Sequence, residues 1–430
     1  MLQTRIGVLG TGRSGIAVAN AAKRRGAEVW LFDERPVVLK EVSLEGGIEV
    51  VGSWDGSFEQ YKLATLVTSP GVPQSSPVLQ RAKQSGIGVI SEIEFAFSIA
   101  KSKILAVTGT NGKSTTTAML WHCLRESGVD AVLCGNIYGS GYEEVTLTEA
   151  AEKGTAEQFL VAEISSYQLE WVRNFRPVGA IITNVTSDHL DRYNGDRELY
   201  AQTKLRIYAN MGPGDALVLP IGFEAPPGPT VKWLSLNAVE AFNLPFSEDH
   251  NRLNAGAALM LIDALFKGSN VPEQAREAIK IFRALDNRME PVGVRHGISV
   301  INNTMCTNPP AVMASSSAVS GRQHLLIGGV SKGLDFQELG EFIRVKGHAA
   351  YLFGRDARRI FLETGQLWPV FDTMREAFAV ASTEARSGEV IMLAPGCASH
   401  DQFKDFRDRG NVFKEIAMEW LKNETDDSKL

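Results

Sequence analysis

The stretch Thr108-Gly109-Thr110-Asn111-Gly112-Lys113-Ser114 limits what this chain can fold into more than any other. An apolar run, Ile104 to Val107, leads into it, and a helical pattern from Thr115 to Arg125 follows. A strand, a glycine-rich turn and a helix in that order present backbone N–H groups and a helix N-terminus to a phosphate. Lys113 is placed to neutralise terminal phosphates, and the Ser114 hydroxyl is suited to Mg²⁺. Gly109, Thr110, Asn111, Gly112 and Thr115 complete the predicted cradle. The strict phosphate-loop pattern has glycine where this chain has Val107, so the motif is a shortened variant that still predicts a nucleotide.

A chain of 430 residues has room for two or three domains. Its formal net charge of −6 carries no basic excess, so nucleic acid is not an expected partner. No run approaches the roughly 18 apolar residues that a membrane span needs. Met1 to Arg5 leads straight into a strand pattern, without the layout of a signal peptide. Cys123, Cys134, Cys306 and Cys397 form no CxxC pair and read as buried thiols of a reducing compartment. The expectation is a cytoplasmic protein.

Strands alternate with helices throughout, which predicts an α/β chain in three segments with boundaries at 1–99, 100–285 and 286–430. In the first, the strand Arg5 to Gly10 runs into Gly10-Thr11-Gly12-Arg13-Ser14-Gly15 and a helix to Arg25. The strand Glu28 to Phe32 then ends on Asp33. G-x-G-x-x-G between strand and helix, with an acid about 20 positions on, is the dinucleotide fingerprint. Alone it would suggest an NAD-dependent dehydrogenase, but what it supports directly is a Rossmann-like crevice for a nucleotide diphosphate. Gly12, Arg13, Ser14, Asp33 and Glu34 are its candidate residues, with Ser69-Pro70-Gly71 as a facing lip.

In the second segment the strands Phe159 to Glu163 and Ala180 to Asn184 end in polar clusters. Ligands of open α/β sheets gather at such carboxyl ends. Glu163-Ile164-Ser165-Ser166 offers a carboxylate and hydroxyls to a hard cation, and Asp188-His189-Leu190-Asp191-Arg192 adds a histidine and two acids. The third segment has strands at Val300 to Asn302, His324 to Gly328, Ala350 to Phe353 and Val390 to Leu393. Between Gly212 and Asp249 the chain is rich in Pro and Gly and yields no strand assignment. The tail from Asn423 to Leu430 reads as polar and frayed.

Taken together these residues resemble the Mur ligases, the ATP-dependent amide ligases that build the peptide stem of bacterial cell-wall precursors. The resemblance runs through Thr108 to Ser114, Gly135-Asn136-Ile137 and Glu163-Ile-Ser-Ser-Tyr-Gln-Leu-Glu170. It continues through Asn184-Val-Thr-Ser-Asp-His189-Leu-Asp-Arg-Tyr193, Thr203-Lys204-Leu-Arg-Ile-Tyr208, His250-Asn251 with Asn254, and Ala398-Ser399-His400-Asp401-Gln402-Phe403-Lys404. It is similar to the branch that joins glutamate to UDP-N-acetylmuramoyl-L-alanine. The resemblance implies a Rossmann-like domain that grips a UDP-sugar rather than NAD, a central P-loop-type ATPase domain, and a mobile Rossmann-like amino-acid-binding domain, in a monomer.

It implies two Mg²⁺ sites, with Ser114 and Glu163 as ligands and His189 matching the ligand of a second ion. Lys204 matches a lysine that several members carry as N6-carboxylysine, a carbamate that would also face metal. Asn136 is expected on the phosphate side, Asn251 and Asn254 on the adenine side. Arg288 matches an arginine that reaches the ATP phosphates. Ser165 and Gln168 fall among the implied precursor contacts. Lys332, Thr307, Ser399 and Phe406 match positions that hold the incoming glutamate, and Lys113, His189, Lys204 and Lys332 form the implied catalytic set.

The departures lie in the third segment. Where the family commonly reads Asn-Asp-Ser-Lys-Ala-Thr-Asn, this chain has Asn302-Asn303-Thr304-Met305-Cys306-Thr307-Asn308, and His400 stands where an apolar residue is common. Asn303 can still hydrogen-bond a ribose of ATP but brings no charge. A lost charge-assisted hydrogen bond at Met305 is worth about 1.5–3 kcal/mol, roughly ten- to a hundredfold in binding. Two readings follow. Either D-glutamate is still added, through a site rebuilt around Lys332 and His400, or the amino acid has changed, for example to L-glutamate. A catalytically inactive paralogue is the remaining alternative.

Overall fold

Each phosphate-loop and fingerprint motif falls where a parallel strand gives way to a helix. The computed structural model describes residues 4–33, 43–186, 192–193, 195–246, 248–331 and 333–422. Among them the strands are β1 (Arg5–Leu9), β2 (Glu28–Phe32), β3 (Glu49–Val51), β4 (Thr65–Thr68) and β5 (Gly88–Ser91). Next come β6 (Lys103–Thr108), β7 (Ala131–Gly135), β8 (Phe159–Glu163), β9 (Gly179–Ile182), β10 (Ala216–Pro220) and β11 (Thr230–Leu234). The last are β12 (Glu290–Arg295), β13 (Ile298–Asn302), β14 (Gln323–Gly328), β15 (Ala349–Phe353), β16 (Val370–Phe371) and β17 (Val390–Leu393).

They build three sheets, ordered β3-β2-β1-β4-β5, β11-β10-β9-β6-β8-β7 and β12-β13-β17-β14-β15-β16. All pairings are parallel except the antiparallel β12–β13 edge. The chain divides into two compact units. One is Met1–Tyr138 with Glu143–Phe282, and the other is Gly139–Tyr142 with Arg283–Leu430.

Parallel strands covered on both faces read as continuous apolar runs, because alternate side chains enter different layers. Leu105, Val107, Val161, Ile181 and Val218 fill one layer of the second sheet. Ile104, Ala106, Leu160, Ala162, Ala180 and Leu217 fill the other. The third sheet does the same, with Leu325, Ile327, Leu352 and Met392 on one side and Leu326, Phe353, Ile391 and Leu393 on the other. The four cysteines are buried and free.

Several elements escape the sequence pattern. The Pro/Gly-rich stretch contains β10, a short buried run, and β11, an edge strand with Trp233 39% exposed. β12 lacks a buried face because it is an antiparallel edge strand. The helix predicted from Thr115 starts at Lys113, directly after Gly112 in the left-handed region (φ +79°).

Buried carboxylates join the first two sheets into one unit. Glu94, 5% exposed, accepts hydrogen bonds from the backbone N–H groups of Arg173 (2.9 Å), Asn174 (2.8 Å) and Phe175 (2.9 Å). Replacing Glu94 by Ala takes the shared acceptor from three backbone donors, of which the Phe175 N–H is buried. Urea unfolding should therefore show a loss of about 2–4 kcal/mol for this unit. A loss under about 1 kcal/mol would mean water replaces the carboxylate freely.

Candidate functional site

The second sheet sets the site through its register. Val107 and Gly135 both pair with Glu163, so the ends of β6, β7 and β8 lie level. The phosphate loop, Glu163 and Asn136 thus emerge side by side at the carboxyl edge, beside the reversal of strand order at β6. Glu163 is 3% exposed. One of its oxygens accepts the Ser114 hydroxyl and the other the Asn136 amide at 2.9 Å.

The loop is held from outside. Lys113 Nζ donates to the Thr110 carbonyl at 2.7 Å, and Thr110 Oγ1 lies 3.2 Å from the Tyr200 hydroxyl. Asn184 Oδ1 accepts the Asn111 N–H (3.0 Å), while its amide and the Thr183 hydroxyl donate to the Asn111 carbonyl at 3.0 and 2.6 Å. Lys204, 1% exposed, donates to the Gly109 carbonyl at 2.6 Å and lies 4.5 Å from the Tyr200 ring centroid. Asn254, on the helix Asp249–Leu265 with Asn251, accepts the Thr116 hydroxyl at 3.2 Å. That contact places Asn254 against the first turn of the helix that follows the phosphate loop.

The first sheet has the strand order of a dinucleotide-binding half, and a crevice of about 790 Å³ opens at the carboxyl ends of β1 and β4. Gly12, Arg13, Ser14, Asp33, Ser69, Pro70 and Gly71 line it, as the motif predicts. The three glycines divide the work. Gly10 turns the chain at φ +103°, and a Cβ on Gly15 would lie 1.9 Å from the Gly10 carbonyl oxygen. A Cβ on Gly12 would meet nothing within 4 Å, which leaves the space open to a ligand. Asp33 accepts the Thr11 N–H (3.2 Å) and hydroxyl (2.7 Å), so it braces the loop as well as facing the crevice. The Arg13 guanidinium lies 4.5 Å from the Tyr138 ring centroid.

Ser165 and Gln168 have a local role. They form the capping box of the helix Ser166–Leu169, with the Ser165 N–H donating to Gln168 Oε1 at 2.9 Å. Glu34, His189 and Lys332 lie outside the described residues.

The second unit gathers its loops around a residue that sequence reasoning missed. Arg409, fully buried, donates to Thr304 Oγ1 (2.9 Å), the Thr304 carbonyl (2.9 Å) and the Cys397 carbonyl (3.1 Å). Burial pulls its guanidinium down to about 10, still a cation at neutral pH. Its signal was an arginine in phase with Phe413, Ile416 and Ala417 on the buried face of the helix Phe406–Lys422. Around it, Thr304 donates to the Phe406 carbonyl at 3.0 Å, Ser399 is buried, Thr307 is half-buried and His400 is exposed. Asn303 Oδ1, read from sequence as a ribose contact, accepts the Met289 N–H at 3.2 Å. Asn287 and Met289, flanking Arg288, are both left-handed (φ +64° and +47°). Asn302 donates to Asn287 Oδ1 at 3.1 Å, and the Met305 N–H donates to the Asn287 carbonyl at 3.2 Å.

Known proteins show which family the chain is similar to. Residues 4–91 match the model of the Mur ligase MurD-like N-terminal domain, and residues 107–226 that of the Mur ligase middle domain. The UDP-N-acetylmuramoylalanine--D-glutamate ligase of Pelotomaculum thermopropionicum is 32% identical over 450 residues, covering 96% of both chains. That of Solibacter usitatus is 33% identical over 437 residues, covering 95% of this chain and 96% of the relative. In fold, the chain is similar to UDP-N-acetylmuramate-alanine ligase of Thermotoga maritima (TM-score 0.60, 18% identity, 97% of this chain and 100% of that one). It is also similar to the MurF ligase of T. maritima in complex with ADP (TM-score 0.59, 15% identity, 97% and 96%). The chain belongs to the Mur ligase family of ATP-dependent ligases.

Two predictions follow from the site. A Cβ on Gly112 would lie 2.4 Å from Asn254 Oδ1, in a backbone conformation that disfavours side chains. Gly112→Ala should weaken ADP binding by about tenfold or more. Calorimetric titration checks this, and unchanged affinity would dissociate the loop from nucleotide binding.

The second concerns Asp356. Although burial opposes it, the Ser331 N–H and hydroxyl and Arg355 hold the Asp356 carboxyl down to about 2, from an ordinary 3.8. A depressed folded pKa contributes stability that is present above the unfolded value and lost as pH falls through the folded one. Thermal melts between pH 4 and 2 should therefore fall more steeply for the wild type than for Asp356→Asn.

Proposed function

We propose that this protein joins glutamate to UDP-N-acetylmuramoyl-L-alanine at the expense of ATP, as a soluble cytoplasmic step of peptidoglycan precursor synthesis, with D-glutamate as the amino acid. The carrying observation is the Glu163 carboxylate fixed between Ser114 and Asn136 beside a left-handed glycine loop. Near-full-length similarity to D-glutamate ligases supports the substrates. No helix among the described residues is long and apolar enough to cross a membrane.

The oxygens of Ser114 and Glu163 suit a hard cation, so Mg²⁺ with ATP fits the donors present. When bound, Mg²⁺ would offset charge on the phosphates. The loop amides and Lys113 hold the γ-phosphoryl group, and the crevice at Gly12, Arg13 and Ser69 holds the pyrophosphate of the precursor. A carboxylate oxygen of the precursor attacks the γ-phosphorus, and ADP leaves. The glutamate amine then attacks the acyl carbon, loses a proton, and phosphate departs as the amide forms. Thr307, Ser399, Phe406 and Lys332 are assigned to glutamate, and Arg288, Asn251 and Asn254 to the ATP side. His189 is assigned to a second Mg²⁺. Lys204 is assigned as a carbamate, supported by its burial next to the phosphate loop.

The test is phosphate release from ATP with UDP-N-acetylmuramoyl-L-alanine and either D- or L-glutamate. Turnover is expected with D-glutamate and should be abolished by Lys113→Ala. Recovery after acid treatment should require bicarbonate if Lys204 is carbamylated. Turnover with L-glutamate alone would reassign the stereochemistry, and none with either would remove the ligase reading for glutamate.

A further inference from the structure

The lip of the UDP crevice is held from the central sheet. Ser69 is fixed by its N–H to the Leu9 carbonyl (2.9 Å), and the Val72 N–H closes a turn onto the Ser69 carbonyl (3.1 Å). The outer end of that turn is gripped by Arg192, whose Nη2 donates to the Val72 carbonyl at 2.8 Å. The same guanidinium forks onto Glu170, Nε to Oε1 at 2.9 Å and Nη2 to Oε2 at 2.7 Å, with side chains only 9% and 2% exposed. It stacks 4.1 Å from the centroid of the Tyr167 ring. The Glu170 carbonyl accepts the Gln74 amide (2.9 Å) and Arg206 Nη1 (2.6 Å), and Arg206 Nη2 reaches the Val172 carbonyl at 2.8 Å. Val72 lines the crevice, and Glu170 follows β8, which ends at Glu163, and the capped helix Ser166–Leu169.

We infer that Arg192, through Glu170 and Val72, is a positioning residue for precursor binding: it sets the distance between the lip and the glycine loop at Gly12. The inference deepens the crevice reading above and rests on it.

A planar fork is needed because three acceptors in different directions must be met at once, which a lysine ammonium on a flexible stem does poorly. A buried ion pair is also a poor way to gain stability, since its desolvation offsets most of its attraction. Its retention at a ligand-lining turn is better accounted for by the geometry it imposes. Loosening the lip should cost affinity for the group in the crevice and leave the phosphate loop, held separately by Asn184 and Thr183, unaffected.

The experiment replaces both charges by apolar residues of similar length, Glu170→Met with Arg192→Met, so that no unpaired charge is left buried. UDP and ADP affinities are measured by calorimetry alongside the melting temperature. UDP binding about tenfold weaker, with ADP binding within about twofold of wild type, is the expected result. UDP affinity within about twofold of wild type in the folded double variant would overturn the inference. If the double variant does not fold, Arg192→Lys decides on the same criterion. Wild-type protein that fails to bind UDP would instead overturn the crevice reading itself, before any variant is compared.

Discussion

Pairing of Glu163 with both Val107 and Gly135 is the constraint on which the chemistry of this protein depends. In a parallel sheet the register decides which strand ends lie level, and a slip of one residue would turn Glu163 into an apolar layer. At the observed register its carboxylate meets Ser114 and Asn136, and the glycine loop passes beside it. The loop geometry leaves little freedom. A Cβ on Gly109 would lie 1.9 Å from Thr183 Oγ1, and one on Gly135 would lie 2.4 Å from the Glu163 carbonyl oxygen. Close packing and a buried carboxylate thereby define one another.

The other two sheets use the same edge for different ends. In the first, the strand-order reversal at β1 opens a crevice whose glycine loop is braced by Asp33. In the third, a buried arginine replaces the glycine loop as the organiser, drawing together the chain after β13 and the chain after β17. Arg409 finds carbonyl and hydroxyl oxygens as its hydrogen-bond acceptors, which offset part of the cost of burying its charge.

The sequence made legible those parts of the fold whose causes are local. The runs at Glu28–Phe32 and Phe159–Glu163 are long, apolar and closed by turn residues, and the structure has strands at those bounds. Gly10, Gly12 and Gly15 could be interpreted because each answers a different steric demand. What stayed hidden has causes distant in the chain. β12 is a strand only because β13 pairs with it. Arg192 and Val72 are 120 positions apart, so nothing near either announces their bond.

Where the resemblance leads one to expect an acid and a lysine, the chain has the uncharged Asn303 and Met305. Asn303 is 6% exposed, and its Oδ1 holds the Met289 N–H beside Arg288. An aspartate there would supply the same acceptor, but with a buried charge that needs a nearby cation. The Asn303 amide keeps that hydrogen bond without the desolvation penalty of a carboxylate. The left-handed turns at Asn287 and Met289, on either side of Arg288, are held by the Asn302 amide on Asn287 Oδ1, the Asn287 N–H on Glu290 and the Met289 N–H on Asn303 Oδ1.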